Sequence, residues 1–230
     1  MNYLDTFLFG IYPYIALSIF LFGSLVRFDR EQYSWKSDSS QLLQPQYLRL
    51  GNILFHLGII GLFLGHFVGL LTPVQVWDFL GVSHSSKQIL AMTAGGIMGT
   101  IALIGLLILI YRRFSSARLM AISTWRDKLV LIWILITLLL GLSTIIVSSH
   151  HTDGEEMLKL MHWAQYIVTF RGGAVDLLAG VSPIFKAHIF MGITLFVIFP
   201  FTRLVHIWSG IGTVAYLGRR PQLVRSRRYE

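Results

Sequence analysis

The sequence predicts an all-α integral membrane bundle of five transmembrane helices, N-terminus outside and C-terminus cytoplasmic. Three observations carry that expectation. Of the 230 residues 54% are hydrophobic and only 13% charged, where a soluble domain has about 25% charged. Apolar runs of around 20 residues recur, each long enough to cross a hydrocarbon core of about 30 Å. Lys and Arg crowd the loops of one side, which is the signature of membrane topology.

The spans fall near residues 8–26, 50–71, 89–111, 129–149 and 184–207. The first lacks a basic n-region and an A-x-A-like cleavage site, so it is expected to be a retained span. The loops 27–49 and 112–128 and the tail 208–230 lie on one side. With their flanks they hold Arg27, Arg30, Lys36, Arg49, Arg112, Arg113, Arg118, Arg126, Lys128, Arg203, Arg219, Arg220, Arg225, Arg227 and Arg228, which is 15 of the 19 Lys and Arg. The opposite side has only Lys87, Lys159, Arg171 and Lys186. The basic side is expected to be cytoplasmic, and five crossings put the termini on opposite sides. Residues 1–230 are expected to form a single membrane domain, with no internal repeat and no room for a separate soluble one.

The net charge of +8 follows from this one-sided loading and does not point to nucleic acid. With no cysteine, disulfides, thiolate zinc sites, cysteine-ligated iron–sulfur clusters and covalent haem attachment are all excluded. Between spans four and five, "GEEMLKLMHWAQYIVTF" from Gly154 puts Met157, Leu160, Met161 and Ala164 at helical spacing. That pattern fits a helix lying in the outer interface, and equally a loop helix that covers the bundle.

Ionisable residues inside a membrane are costly and are functional suspects. Four of the eight histidines fall inside spans. His56 and His66 are on span two, and His188 and His206 on span five. The other four, His84, His150, His151 and His162, are at or near outer loops, where histidine is usually an ordinary polar residue. Spans two and five are antiparallel, so two opposed pairs follow: His56 with His206 towards the inside, His66 with His188 further out. At about 100° per residue His188 and His206 share a face, and His56 and His66 are about 80° apart. The axial spacings are unequal, about 15 Å within span two and about 27 Å within span five at 1.5 Å per residue, and helix tilt is expected to absorb the difference.

Histidines paired across facing helices are a common way to build a cofactor site in a bundle. Two neutral imidazoles per iron give a six-coordinate haem that transfers electrons and leaves no open position. Each ligand's second ring nitrogen is expected to need a partner such as a carbonyl or water. Two haems b are the expected cofactors, with iron held by His56, His66, His188 and His206. Metal transport and proton pumping usually bring intramembrane carboxylates, and the spans have essentially none. Small residues recur at Gly58, Gly61, Gly65 and Gly69 on span two and at Gly95, Gly96 and Gly99 on span three. They fit close helix packing, and also room for a flat macrocycle or quinone ring, the latter best near His66.

The stretches "NILFHLGIIGLFLGHFVGLLTP" from Asn52 and "KAHIFMGITLFVIFPFTRLVHIWS" from Lys186 contain these histidines. Together with "IYPYIA" from Ile11, "RFDREQYSW" from Arg27, "HTDGEEMLKLMHWAQYIVTFRGGA" from His151 and "YLGRRPQLVR" from Tyr216, they resemble the gamma subunit, the cytochrome b, of membrane-bound respiratory nitrate reductase. The resemblance implies a multi-pass subunit of the bacterial inner membrane. It implies an inner, proximal haem b on His56 and His206 and an outer, distal haem b on His66 and His188. It further implies quinol (menaquinol or ubiquinol) oxidised near the distal haem with protons released outside. Electrons would then go to an iron–sulfur beta subunit and a molybdenum alpha subunit, which reduces nitrate. Quinol-site positions of the family match Gly65, His66, Gly69 and Lys87. Lys87 by itself also reads as a snorkelling interfacial lysine. Arg219 to Arg228 are expected to meet a partner or anionic lipid head groups. Two other functions fit the residues less well: a dihaem cytochrome b of another quinol-linked reductase complex, and a haem or metal transporter or sensor.

Overall fold

The computed structural model describes residues 3–31, 45–150 and 153–209. Regular structure among them is entirely helical, and five helices are long and apolar enough to span a membrane. The first span, Tyr3–Arg30, is built of α1 (Tyr3–Thr6), a π-helical turn (Phe7–Ile11) and α2 (Tyr12–Arg30). The π turn has a local cause. Pro13 has no N–H, and its ring crowds the carbonyl four residues back, that of Phe9. The chain widens there, with the Tyr12 N–H bonding to Phe7 O. The freed Phe9 carbonyl accepts the Trp163 indole N–H at 3.0 Å.

The second span is α3 (Pro45–Leu71), followed by the short α4 (Val74–Phe79) and the long α5 (His84–Ser115). Ser83 caps α5 by accepting from the Ser86 N–H, so this helix starts five residues before the expected 89 and Lys87 lies in its first turn. After α6 (Ala117–Ile122), α7 (Trp125–Ser148) opens on a capping box between Thr124 and Asp127. The extended ψ of Thr124 and its side-chain bond to the Asp127 N–H fix that helix start.

α3 and α5 pack closely along their length. A Cβ on Gly58 would run into the backbone of Ala102 and Met98, and one on Gly105 into the backbone of Phe55 and Gly51. α5 in turn packs on α7, and α9 (Pro183–Ile198) packs on α7 and α2. Ala102, Leu106, Val130, Ile134 and Leu138 form one buried core between α5 and α7. A second core, with Phe9, Trp163, Ile167, Leu178 and Phe185, lies where α8 (Glu155–Val168) and the 3-10 turn Ala174–Leu178 meet the first span and α9. Large apolar side chains such as Phe22, Phe63, Ile97 and Ile146 face outward, where bilayer hydrocarbon would cover them.

Two expectations are resolved here. The helix after Gly154 buries Met161, Trp163, Ala164 and Ile167 against the bundle, so it covers the bundle instead of laying its apolar face in the interface. Span five is not one helix to residue 207: α9 ends at Ile198 and is followed by 3-10 turns Phe199–Phe201 and Arg203–Val205. Pro200 cannot donate a helical hydrogen bond, and the chain turns extended at Thr202, with φ −128° and ψ −178°.

That break also changes the axial arithmetic. From His188 to Ile198 regular helix advances about 15 Å, the same as from His56 to His66. The remaining residues to His206 belong to the turns. The mismatch is thus met by a break in the helix as well as by tilt. The basic tail Arg219 to Arg228, with its expected docking role, lies outside the described residues.

Candidate functional site

α3 carries His56 and His66, α9 carries His188, and the chain beyond the break in span five carries His206; the structure brings these together in two pairs. The ring centroids of His56 and His206 are 6.1 Å apart. Those of His66 and His188 are 6.0 Å apart. Imidazole nitrogens bind transition metals at about 2 Å, so two imidazoles on opposite faces of one ion hold their centroids about 6 Å apart. Both pairs have that separation.

The second ring nitrogens are all engaged. His56 Nδ1 donates to Asn52 O at 2.8 Å and His66 Nδ1 to Leu62 O at 2.7 Å, each one turn back on α3. His206 Nδ1 donates to Arg203 O at 2.6 Å. His188 Nδ1 reaches across to α7 and donates to Thr137 O at 3.0 Å. A carbonyl can only accept, so each Nδ1 carries the hydrogen and each neutral ring presents its lone pair at Nε2. This is the usual arrangement behind a metal-bound histidine.

No third His, Asp or Glu joins either pair to form a metal site among the described residues. Two imidazoles alone leave a transition metal under-coordinated, so the arrangement suits a group that brings its own equatorial donors. A porphyrin iron does so and takes two axial imidazoles. There is also room beside the outer pair. A Cβ on Gly65, Gly69 or Gly192 would meet nothing within 4 Å. The glycines of α3 therefore divide: Gly58 and Gly61 pack on α5, whereas Gly65 and Gly69 border open space. The residues present fit haem.

Of the positions expected at a quinol site, Gly65 and Gly69, one turn apart on α3 and on either side of His66 in the chain, each border open space. Lys87 does not snorkel. It is 5% exposed, with Nζ 2.7 Å from Met161 Sδ and 4.5 Å from the centre of the Trp77 ring. α4 and α8 together enclose it. His84 lies 3.6 Å from Asp78, and His162 lines a cavity of about 520 Å³ with Leu71, Gln75, Tyr166 and Arg171. His150 follows the end of α7, and His151 is outside the described residues.

Two groups that shape the pairs have no signal in the sequence. One is on α7: a Cβ at Gly141 would sit 2.8 Å from His188 Cε1, so only glycine lets that imidazole lie against the helix and reach Thr137 O. A helix–helix glycine has no sequence signal that singles out a histidine as its neighbour. The other is the charged cluster around the inner pair, where Asp127 accepts from Arg203 Nε at 2.8 Å and lies 3.9 Å from Arg113 Nη1. In the sequence those arginines read only as topology signals.

Comparisons with known proteins agree with this architecture. A family model described as the nitrate reductase gamma subunit matches residues 5–227. The chain is similar to the respiratory nitrate reductase 2 gamma chain of Escherichia coli (strain K12), at 47% identity over 99% of this chain and 100% of that one. It is also similar to the respiratory nitrate reductase 1 gamma chain of the same organism, at 48% identity over 99% of this chain and 100% of the relative. A third relative, the nitrate reductase gamma chain of Bacillus subtilis (strain 168), is 37% identical over 96% of this chain and 97% of its own length. Five apolar spans, a match over nearly the whole length and relatives of the same extent lead to one conclusion: the chain belongs to the nitrate reductase gamma subunit family and is the multi-pass inner-membrane subunit of a respiratory quinol:nitrate oxidoreductase.

Proposed function

We propose that this subunit is a dihaem cytochrome b that oxidises quinol near the outer face and delivers the electrons inward to an iron–sulfur beta subunit and a molybdenum alpha subunit. His56 and His206 hold the inner haem b, and His66 and His188 the outer one. The observation that carries the proposal is the pair geometry: centroids 6.1 and 6.0 Å apart, with every Nδ1 engaged by a carbonyl. Bound there, haem would supply one-electron transfer.

The chain's own residues do the rest. The four carbonyls hold each imidazole in the tautomer that offers Nε2. Gly65 and Gly69 leave a flat face beside His66 that suits a planar quinol ring. Lys87 is the basic residue at that end of α5, and its burial against Trp77 and Met161 keeps its ammonium out of bulk water, which strengthens a hydrogen bond to a quinol oxygen. With no cysteine in the chain, iron–sulfur chemistry has to come from a partner. The basic loops favour the N-out orientation, which puts the inner pair nearer the cytoplasmic subunits.

A redox titration of the absorbance spectrum of the purified complex, in wild type, His66→Ala and His206→Ala, tests this. Two low-spin b-type components are expected, the outer lost in the first variant and the inner in the second. A wild-type spectrum without two such components, or variants that retain both, would overturn the proposal.

A further inference from the structure

The two pairs differ in how their span-five histidine is held. His188 stands in regular helix. His206 follows a break: it comes directly after the 3-10 turn Arg203–Val205, which begins after the extended Thr202, and opens the short helical stretch 206–209. A turn of this kind has no helical ladder to fix it and leaves carbonyls without intrahelical donors.

Two side chains from other spans meet those needs. Arg27, near the end of α2, donates from Nη1 to both Pro200 O and Thr202 O at 2.8 Å. Asp127, in the first turn of α7, accepts from Arg203 Nε at 2.8 Å. The carbonyl of that same Arg203 accepts from His206 Nδ1. The Asp127 carboxylate is itself set by the Thr124 N–H at 3.0 Å. The broken stretch Pro200–Arg203 that leads into His206 is therefore gripped from α2 on one side and from α7 on the other.

Resting on the two haem sites assigned above, we propose that Arg27 and Asp127 are positioning residues for the inner haem: they clamp the broken end of span five so that His206 Nε2 faces His56. Neither touches the ligand ring. They act through the Pro200–Arg203 backbone, and the outer pair does not depend on them.

The test uses the whole membrane complex, with absorbance-monitored redox titration and electron paramagnetic resonance of Arg27→Met, Arg27→Lys and Asp127→Asn. The clamp predicts that Arg27→Met and Asp127→Asn both disturb the inner low-spin component, by loss or by an altered ligand-field signature, and leave the outer component as in wild type. Arg27→Lys, which keeps a donor, is expected to restore most of the inner signal. A purely electrostatic influence behaves differently. Removing a cation lowers the inner potential and removing an anion raises it, with both low-spin signatures intact, and that result would overturn the clamp. Unchanged inner components in both variants would also overturn it. If Arg27→Met fails to assemble, Asp127→Asn decides by the same spectra. A wild type without two components sinks the dihaem assignment itself, whereas two normal components in every variant sink the clamp alone.

Discussion

The imidazole of His188 shows how much the placement of a proposed ligand depends on atoms that are absent. It lies on α7 because Gly141 has no side chain, and it reaches Thr137 O from there. Gly141→Ala would place a methyl 2.8 Å from Cε1, and overpacking of this kind costs about 1–3 kcal/mol. The ring must turn or α7 must yield. The expected outcome is a shifted or lost outer b-type component with the inner one unchanged, read by the same spectral titration. An outer component identical to wild type would show that the site has slack the structure does not suggest. The four intramembrane histidines themselves were legible in the sequence, because polar rings in apolar spans stand out. Their spatial pairing followed from antiparallel spans. Gly141 and Thr137 were not legible, since one contributes a missing side chain and the other a backbone carbonyl, and neither has a residue-type signature.

At the scale of elements, α8 is tied to the first span by a directed bond. The Trp163 indole meets the Phe9 carbonyl that the π turn releases. Trp163→Phe keeps most of the apolar contact but leaves that buried carbonyl without its donor, which costs about 1–3 kcal/mol. A lower midpoint of thermal unfolding in detergent is expected, with both haem spectra preserved. An unchanged midpoint would mean the carbonyl finds another donor. The amphipathic pattern of α8 was visible in the sequence, but its destination was not, because an apolar stripe looks the same whether it meets lipid or protein. The end of α9 is hidden in the sequence for a different reason. Hydropathy stays high through Pro200, so the span looked continuous to 207, while the backbone breaks at a residue that cannot donate.

Across the whole molecule, α3 packs on α5, α5 on α7, and α9 on α7 and α2, and the histidines of α3 and of span five face one another from two halves of the bundle. A group bound by both halves stabilises the assembled form by mass action. Protein produced without haem is therefore expected to unfold at lower temperature than the loaded form, and to regain stability as haem is added. Equal stability with and without haem would argue that the helix contacts alone close the bundle. The fold class and the five spans were readable from composition and apolar run length alone. The helix order around the seam was not, because lipid-facing and protein-facing apolar surfaces have the same chemistry.

The π turn has a consequence for descent. Pro13 and Trp163 are far apart in the chain, yet they serve one carbonyl. A lineage that exchanged Pro13 for a residue with an N–H could close the ordinary helical bond to Phe9 O and leave the indole with no acceptor. A lineage that lost Trp163 would leave the proline's orphaned carbonyl buried. The two positions are expected to change together across the family, so their joint history is a record of this hydrogen bond that can be read without any further structure.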